Sequence, residues 1–192
     1  MAENIKECDF MFRQACAFAE CGKHCEIELL PFSMRKSNFI IAGMVNSALA
    51  CEIFLKTLLY YYTNSHQDGH ELSELWKKLQ GENKKIADEI SAAVDSFYST
   101  SQSNIVERVL EIKNISNTFS YWRYIYEHLQ YSETVLELKQ KRSNGIELND
   151  KEKKQLETYA SDPNFVRIFR EVLKAKCCEI LFDCSWDEYI NR

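Results

Sequence analysis

Apolar residues recur at helical spacing along most of this chain, and the polar breaks between the apolar stretches are short. The most apolar stretch, residues 39–62, contains two charged residues, one glycine and no proline. Apolar side chains cover every face of it around residues 53–55. Because a helix that is apolar on all sides is a buried one, the pattern predicts a central helix over 39–62 that other helices surround.

Amphipathic segments on both sides of this stretch predict the surrounding helices. The expected helices cover residues 3–22, 71–80, 83–97, a segment from about 105, 117–135, about 150–160 and 163–183. The charged segment 136–150 contains Asn144-Gly145 and is expected to be an exposed connection. With five Gly and two Pro in 192 residues, tight turns must be few, which indicates one all-α domain over 1–192.

Three helix ends are predicted from local signals. Gly22 is expected to end the first helix, so that residues 23–37 form a loop. Asp68 is expected to cap the helix that follows the central one, with Glu71 as its capping-box partner. Ser185 and Glu188 have the same spacing and are expected to cap a short helix at the end of the chain.

The composition narrows the function classes. The net charge is −5, so no overall field favours nucleic acid, and such a contact would need a local basic patch. The N-terminus lacks the basic and apolar regions of a secretory signal, and therefore we expect a cytoplasmic protein whose eight Cys are reduced. Residues 39–62 are long enough for a membrane span, but Asn46, Glu52 and Lys56 would be costly in hydrocarbon. No membrane association is expected.

A cluster of potential metal ligands lies near the N-terminus, at Cys16, Cys21, His24 and Cys25. Its spacings match no common zinc pattern, and no second Cys or His pair lies at a typical offset. Free Cys is also among the most buried residue types, so core packing is the better interpretation. We therefore expect no metal and no cofactor.

Charged residues interrupt the apolar stripe of the central helix. Glu52 and Lys56 are four residues apart with the acid first, which is the favourable order for a helical ion pair. Such a pair is either a structural bridge or the edge of a site. His70, in the segment Gly69-His70-Glu71-Leu72 that follows the central helix, also has a structural and a functional interpretation. It could cap the start of the next helix, or it could belong to a site.

The segment 122–128 combines an arginine with a histidine on the most aromatic predicted helix. Arg123 and His128 suit RNA cleavage, because an imidazole can transfer the 2′-hydroxyl or leaving-group proton near neutral pH. A guanidinium can bind the scissile phosphate through two hydrogen bonds and stabilise its developing charge. An aromatic core helix with one surface histidine would give the same pattern, so both interpretations stay open.

Several of these features, in this order and spacing, resemble the HEPN superfamily (higher eukaryotes and prokaryotes nucleotide-binding domain). The similarity covers about residues 35–130 and rests on three pieces: Asn46…Glu52-x-x-x-Lys56, Gly69-His70-Glu71-Leu72, and Phe119-x-x-Trp-Arg-Tyr-x-Tyr-Glu127. The resemblance implies an up-and-down bundle with a core over about 3–135 and extra C-terminal helices over about 150–190. It also implies a homodimer.

The resemblance further implies a function, because many members of the superfamily are metal-independent RNases marked by Arg, four to six residues, then His. Arg123 and His128 fit that spacing and would be the catalytic residues of a host-defence or toxin RNA endonuclease. Glu52, Lys56 and Glu127 would order the arginine. His70 and Tyr124 would line the site.

Partners follow from the same resemblance: RNA, a second copy of the chain, and an antitoxin or defence-system protein. The alternative is a non-catalytic HEPN-like module that binds a nucleotide or a protein. The acidic balance favours that alternative, and so does Tyr124, since the residue after the arginine is often small and polar in active members. The Arg123–His128 spacing and the charges within the central helix favour the enzyme.

Overall fold

The computed structural model describes residues 2–27, 37–98, 105–110, 137–138, 140–142, 144–153 and 163–191, and this part of the chain is helical without a strand. The predicted all-α class is confirmed. The predicted helix over 117–135 lies outside the described residues. The main helices are α1 (Ala2–Ile27), α2 (Ser37–Thr63), α3 (Leu72–Glu82), α4 (Lys84–Asp95), α5 (Ile105–Leu110), α6 (Pro163–Phe182) and α7 (Trp186–Ile190).

The helix α2 is the centre of the bundle, as its apolar pattern predicts. Its side chains Phe54, Leu55 and Leu58 are fully buried, and α1, α3 and α6 pack against it. Among the described residues it is the one helix whose length and composition would allow a membrane span, and 67% of the window Ala42–Thr63 is buried inside the bundle. Burial of this kind is typical of a core helix.

The predicted end of the first helix at Gly22 is wrong, because α1 continues through it to Ile27. Gly22 is buried where α1 crosses α2 and α6. A Cβ atom at this position would collide with the Ser47 hydroxyl and would lie 3.0 Å from the Arg170 guanidinium and 3.2 Å from the Gly43 carbonyl oxygen. Gly22 therefore permits a close approach of helices instead of ending one.

The predicted cap of α3 is also wrong, whereas that of α7 is confirmed. Glu71 occupies the N-cap position of α3 in an extended conformation, and Asp68 lies outside the helix. The reason is Gly69, whose φ of 89° turns the chain between Asp68 and the helix. In α7, the Ser185 hydroxyl accepts from the Glu188 backbone N–H and the Glu188 carboxylate accepts from the Ser185 N–H, which is a complete capping box.

The segment 136–150 agrees only in part with the predicted exposed connection. Its turn is present at Asn144-Gly145, where Gly145 has a φ of 74°. The chain is helical at residues 137–138 and 140–142, however, and Leu138 and Leu148 are buried together in a small apolar cluster. The segment differs from the predicted exposed connection because these two leucines pack against each other and bury one side of it.

Candidate functional site

The sequence-predicted site divides into two groups of residues. Arg123, Tyr124, Glu127 and His128 lie outside the described residues. Glu52, Lys56 and His70 are described, and the structure brings these three side chains together. The geometry of the site is therefore built from them.

Glu52 is the centre of this group. It projects from α2 into the bundle, with a side chain that is 5% exposed. One helical turn later, the Lys56 ammonium lies 3.0 Å from Glu52 Oε1, as the spacing of the two residues predicts. The His70 ring reaches the same oxygen from the segment that follows α2, with Nδ1 at 2.9 Å. One carboxylate oxygen thus receives two partners.

The second oxygen of the carboxylate is different. Glu52 Oε2 is buried and has no hydrogen-bond partner within the described part of the chain. Leaving a buried acceptor without a partner is costly, and more so when the group is charged. A functional role is one physical explanation for such an unsatisfied oxygen, and Trp76 Nε1, Ser91 Oγ and Glu107 Oε2 are further buried polar atoms without a partner in the described chain.

The contact with Glu52 also sets the proton positions of His70. Because a carboxylate oxygen that binds an ammonium group is an acceptor, Nδ1 of His70 donates to it. In the neutral imidazole the lone pair then lies on Nε2. The His70 side chain is 65% exposed although its partner is buried. The arrangement is an accessible imidazole held by a buried carboxylate.

The chain reaches this geometry through a local turn. Gly69 has a φ of 89°, and a Cβ built there would meet nothing within 4 Å. The glycine is therefore required by the backbone conformation and not by crowding. This turn directs His70 back towards α2 before α3 begins at Leu72.

A second polar cluster was missed by the sequence interpretation. Arg170 of α6 is 1% exposed; its guanidinium donates to the Glu171 carboxylate at 2.9 and 2.8 Å and to the Ser47 hydroxyl of α2 at 2.7 Å. Lys174 is also buried and binds Glu171 at 2.7 Å. Arg170 and Lys174 interrupt the apolar pattern of α6 at a four-residue spacing, which is the signal that identified Glu52 and Lys56.

In this second cluster the charges of Arg170, Lys174 and Glu171 compensate one another, as in a network that stabilises the fold. Burial pushes the pKa of the Glu171 carboxyl upward, but hydrogen bonds and charges from Lys174 and Arg170 outweigh it and leave this pKa below its usual value. The Lys174 ammonium also lies 4.6 Å from the centre of the Trp186 ring. The cluster therefore links α6 to α2 and to the C-terminal helix α7.

The cysteines and histidines near the N-terminus do not converge. Among the residues that the structure describes, no three metal-ligating side chains come together, and none of the eight Cys forms a disulfide. Cys21 is exposed, whereas burial raises the pKa of Cys16 to about 12.

A separate groove of about 660 Å³ lies between α1 and α7, and none of its lining residues belongs to the predicted site.

Comparison with known proteins identifies no relative of this chain. No family model, no curated protein and no solved structure matches the chain. The proposals below therefore rest on the residues and their geometry.

Proposed function

We propose that the protein is a metal-independent RNA endonuclease, with Arg123 and His128 as catalytic residues and the Glu52 group as part of the same site. The observation that carries the proposal is the buried Glu52 carboxylate, which holds Lys56 and an accessible His70 on one oxygen and leaves the other without a partner in the described chain. A purely structural ion pair would need neither the imidazole nor the open acceptor.

The chemistry of these side chains suits phosphodiester cleavage by the neighbouring 2′-hydroxyl. An imidazole can transfer protons near neutral pH, and a guanidinium can stabilise the negative charge that develops on the phosphate. Both functions come from side chains, so the reaction we propose needs no metal ion. Its products are a 2′,3′-cyclic phosphate and a free 5′-hydroxyl.

The proposal includes the assembly and the biological role. We propose a symmetric homodimer in which two copies bring their Arg123 and His128 segments to one cleft. We also propose a cytoplasmic host-defence or toxin function with an antitoxin or defence-system protein as a partner. A genomic neighbourhood that contains such a partner, and light scattering that gives a dimer at tens of micromolar, are the observations that would support these points.

The decisive experiment measures cleavage of an unstructured RNA by the purified protein in EDTA. Arg123→Ala and His128→Ala are each expected to remove most activity, and the double variant is expected to be little worse, since groups that act as a unit are not additive. A substrate with a 2′-deoxy nucleotide at the cleavage site should resist cleavage. Arg142→Ala, at an exposed position, is the matched control and should cleave like the parent.

The same experiment decides between this proposal and a non-catalytic module. The net charge of −5 favours a module that binds a nucleotide or a protein. If the parent protein cleaves no RNA, or if His128→Ala cleaves normally, the endonuclease proposal is wrong. Binding of a nucleotide by the same preparation would then support the module.

A further inference from the structure

We propose that Cys178 and Cys184 form a reversible redox site, in which a hydroperoxide converts the two thiols into a disulfide between α6 and the connection to α7. The contact between the two sulfurs carries the proposal. No residue of the proposed endonuclease site takes part, so the redox site and the endonuclease are tested separately. In a reducing compartment, disulfides that do form are usually transient and redox-sensing.

The two sulfurs lie close enough to be joined by a small movement. Cys178 Sγ and Cys184 Sγ are 3.9 Å apart in the reduced protein. A disulfide holds its sulfurs about 2.0 Å apart, so the distance must shorten by about 2 Å. Cys178 Sγ also donates to the Ser185 carbonyl oxygen at 3.5 Å, which directs this thiol towards the segment that carries Cys184. The fold therefore brings the two thiols into contact before any oxidation.

The backbone at Cys184 allows that movement. The helix α6 ends at Phe182, α7 begins at Trp186, and Cys184 lies in the connection between them. Asp183 turns the chain there with a φ of 50°. Because Cys184 is outside both helices, its sulfur can approach Cys178 without breaking a helix.

The two cysteines differ in their access to solvent. Cys184 is 9% exposed and lies between the exposed residues Asp183 and Ser185, whereas Cys178 is fully buried. Oxidation by a dissolved oxidant follows the exposure of the sulfur and its thiolate character. Cys184 is therefore the sulfur that the oxidant reaches first, and Cys178 is the resolving thiol beside it.

Burial keeps other thiols of the core out of this reaction. It raises the pKa of Cys8 to about 11 and that of Cys16 to about 12. It also raises the pKa values of Cys51 and Cys177. Thiols with such pKa values stay protonated near neutral pH and react slowly, since the thiolate is the nucleophile. The exposed Cys21 is a competing site, and its replacement serves as a control below.

The proposed reaction has two steps. The Cys184 thiolate attacks one oxygen of the hydroperoxide; a sulfur–oxygen bond forms, the oxygen–oxygen bond breaks, and the second oxygen leaves with a proton from water. The product is a sulfenic acid at Cys184. Cys178 then attacks that sulfur; the disulfide bond forms, the sulfur–oxygen bond breaks, and hydroxide leaves as water with the proton of the Cys178 thiol. The two thiols lose two electrons, and these electrons reduce the hydroperoxide.

The disulfide closes a short loop at the junction of α6 and α7. In the reduced protein α7 packs through Trp186 and Tyr189 on Phe12 of α1, with ring centres 6.2 and 5.3 Å apart. A covalent link at the start of this helix lowers the conformational entropy of the unfolded chain and therefore stabilises the folded state. For a loop this short in a chain of this length, we expect Tm to rise by about 2–8 °C on oxidation.

The test uses the reduced full-length protein, treated with hydrogen peroxide under native conditions and then alkylated. Trypsin leaves Cys177, Cys178 and Cys184 in one peptide, because residues 177–191 contain no Lys or Arg. A second cleavage after Glu179 separates Cys178 from Cys184. We expect the two halves to stay joined in the mass spectrum until dithiothreitol is added. Dithiothreitol should also return the Tm of the oxidised protein to that of the reduced protein.

Variants identify the two sulfurs. Cys178→Ala and Cys184→Ala should each lose the link and the change in Tm on oxidation. Cys177→Ala is the matched control, because Cys177 is equally buried in the same peptide, but its Sγ donates to the Phe54 carbonyl oxygen at 3.6 Å. This variant should keep the link. Cys21→Ala, which removes the exposed thiol, should keep it as well.

Each outcome decides the inference. Joined halves that need Cys178 and Cys184, with a higher Tm, support it. If peroxide leaves the halves separate, or stops at a sulfinic acid on Cys184, the redox site is wrong. A link that lowers Tm would show that the fold must distort to form it, which also contradicts a site built for the bond. Should Cys178→Ala fold poorly, fragmentation of the joined halves from the parent distinguishes Cys178 from Cys177. A parent that cleaves no RNA overturns the endonuclease proposal and leaves this inference intact.

Discussion

Replacement of Arg170 by methionine tests how the charged cluster of α6 holds the bundle together. Methionine keeps most of the apolar volume of the arginine and removes its charge and its donors. The variant loses contacts of 2.9 and 2.8 Å to Glu171 and one of 2.7 Å to Ser47. Because Arg170 is 1% exposed, water cannot replace those contacts without opening the core.

The expected loss is smaller than for an isolated buried ion pair. Breaking such a pair by removing one partner costs about 3–5 kcal/mol when the remaining charge is left alone. Here the Glu171 carboxylate is 40% exposed and keeps Lys174 at 2.7 Å, so it is neither alone nor fully buried. We therefore expect a loss of about 2–3 kcal/mol, mainly from the charged hydrogen bonds. For a chain of this length that is a fall in Tm of about 4–12 °C.

The assay is urea unfolding of the parent and the variant at neutral pH. Arg13→Met is the matched control, because Arg13 also binds one carboxylate through two contacts, both 3.0 Å from Asp9, but its side chain is 69% exposed. That variant should unfold like the parent. A cycle of Arg170→Met with Ser47→Ala should show a coupling of about 0.5–3 kcal/mol, since these side chains are in contact.

One result would refute the reasoning. If Arg170→Met is as stable as the parent, or more stable, the free-energy cost of burying these charges equals or exceeds the stabilisation from their contacts. The cluster would then specify how α6 packs on α2 without adding to the free energy of unfolding.

Two further predictions concern the same region. Gly22→Ala should lose about 1–3 kcal/mol in urea unfolding, because its Cβ would collide with the Ser47 hydroxyl, whereas Gly81→Ala, where a Cβ meets nothing within 4 Å, should be slightly more stable than the parent. The lowered pKa of Glu171 predicts that its contribution to stability is present above about pH 4.5 and is lost as the pH falls through the lower pKa of the folded state. The stability difference between the parent and Glu171→Gln should therefore disappear in acid; a difference that persists there would contradict this assignment.

Local patterns in the sequence determined the elements of the fold. The all-apolar stretch predicted α2 and its burial, and the spacing of Glu52 and Lys56 predicted their ion pair. The capping box of Ser185 and Glu188 was equally readable. Each of these features depends on residues a few positions apart, so the geometry of a single helix decides it.

Tertiary structure decided the features that join distant parts of the chain. Gly22 is a residue type that often ends a helix, but here it lies within α1, where its lack of a side chain lets α1 cross α2 and α6 closely. Ser47 and Arg170 are 123 residues apart, and only the packing of α6 on α2 brings them together. The contact of His70 with Glu52 depends in the same way on the turn at Gly69, which aims the ring at the preceding helix. Sequence periodicity identifies which face of a helix is buried, whereas the partner that covers that face is selected by the packing of the whole bundle.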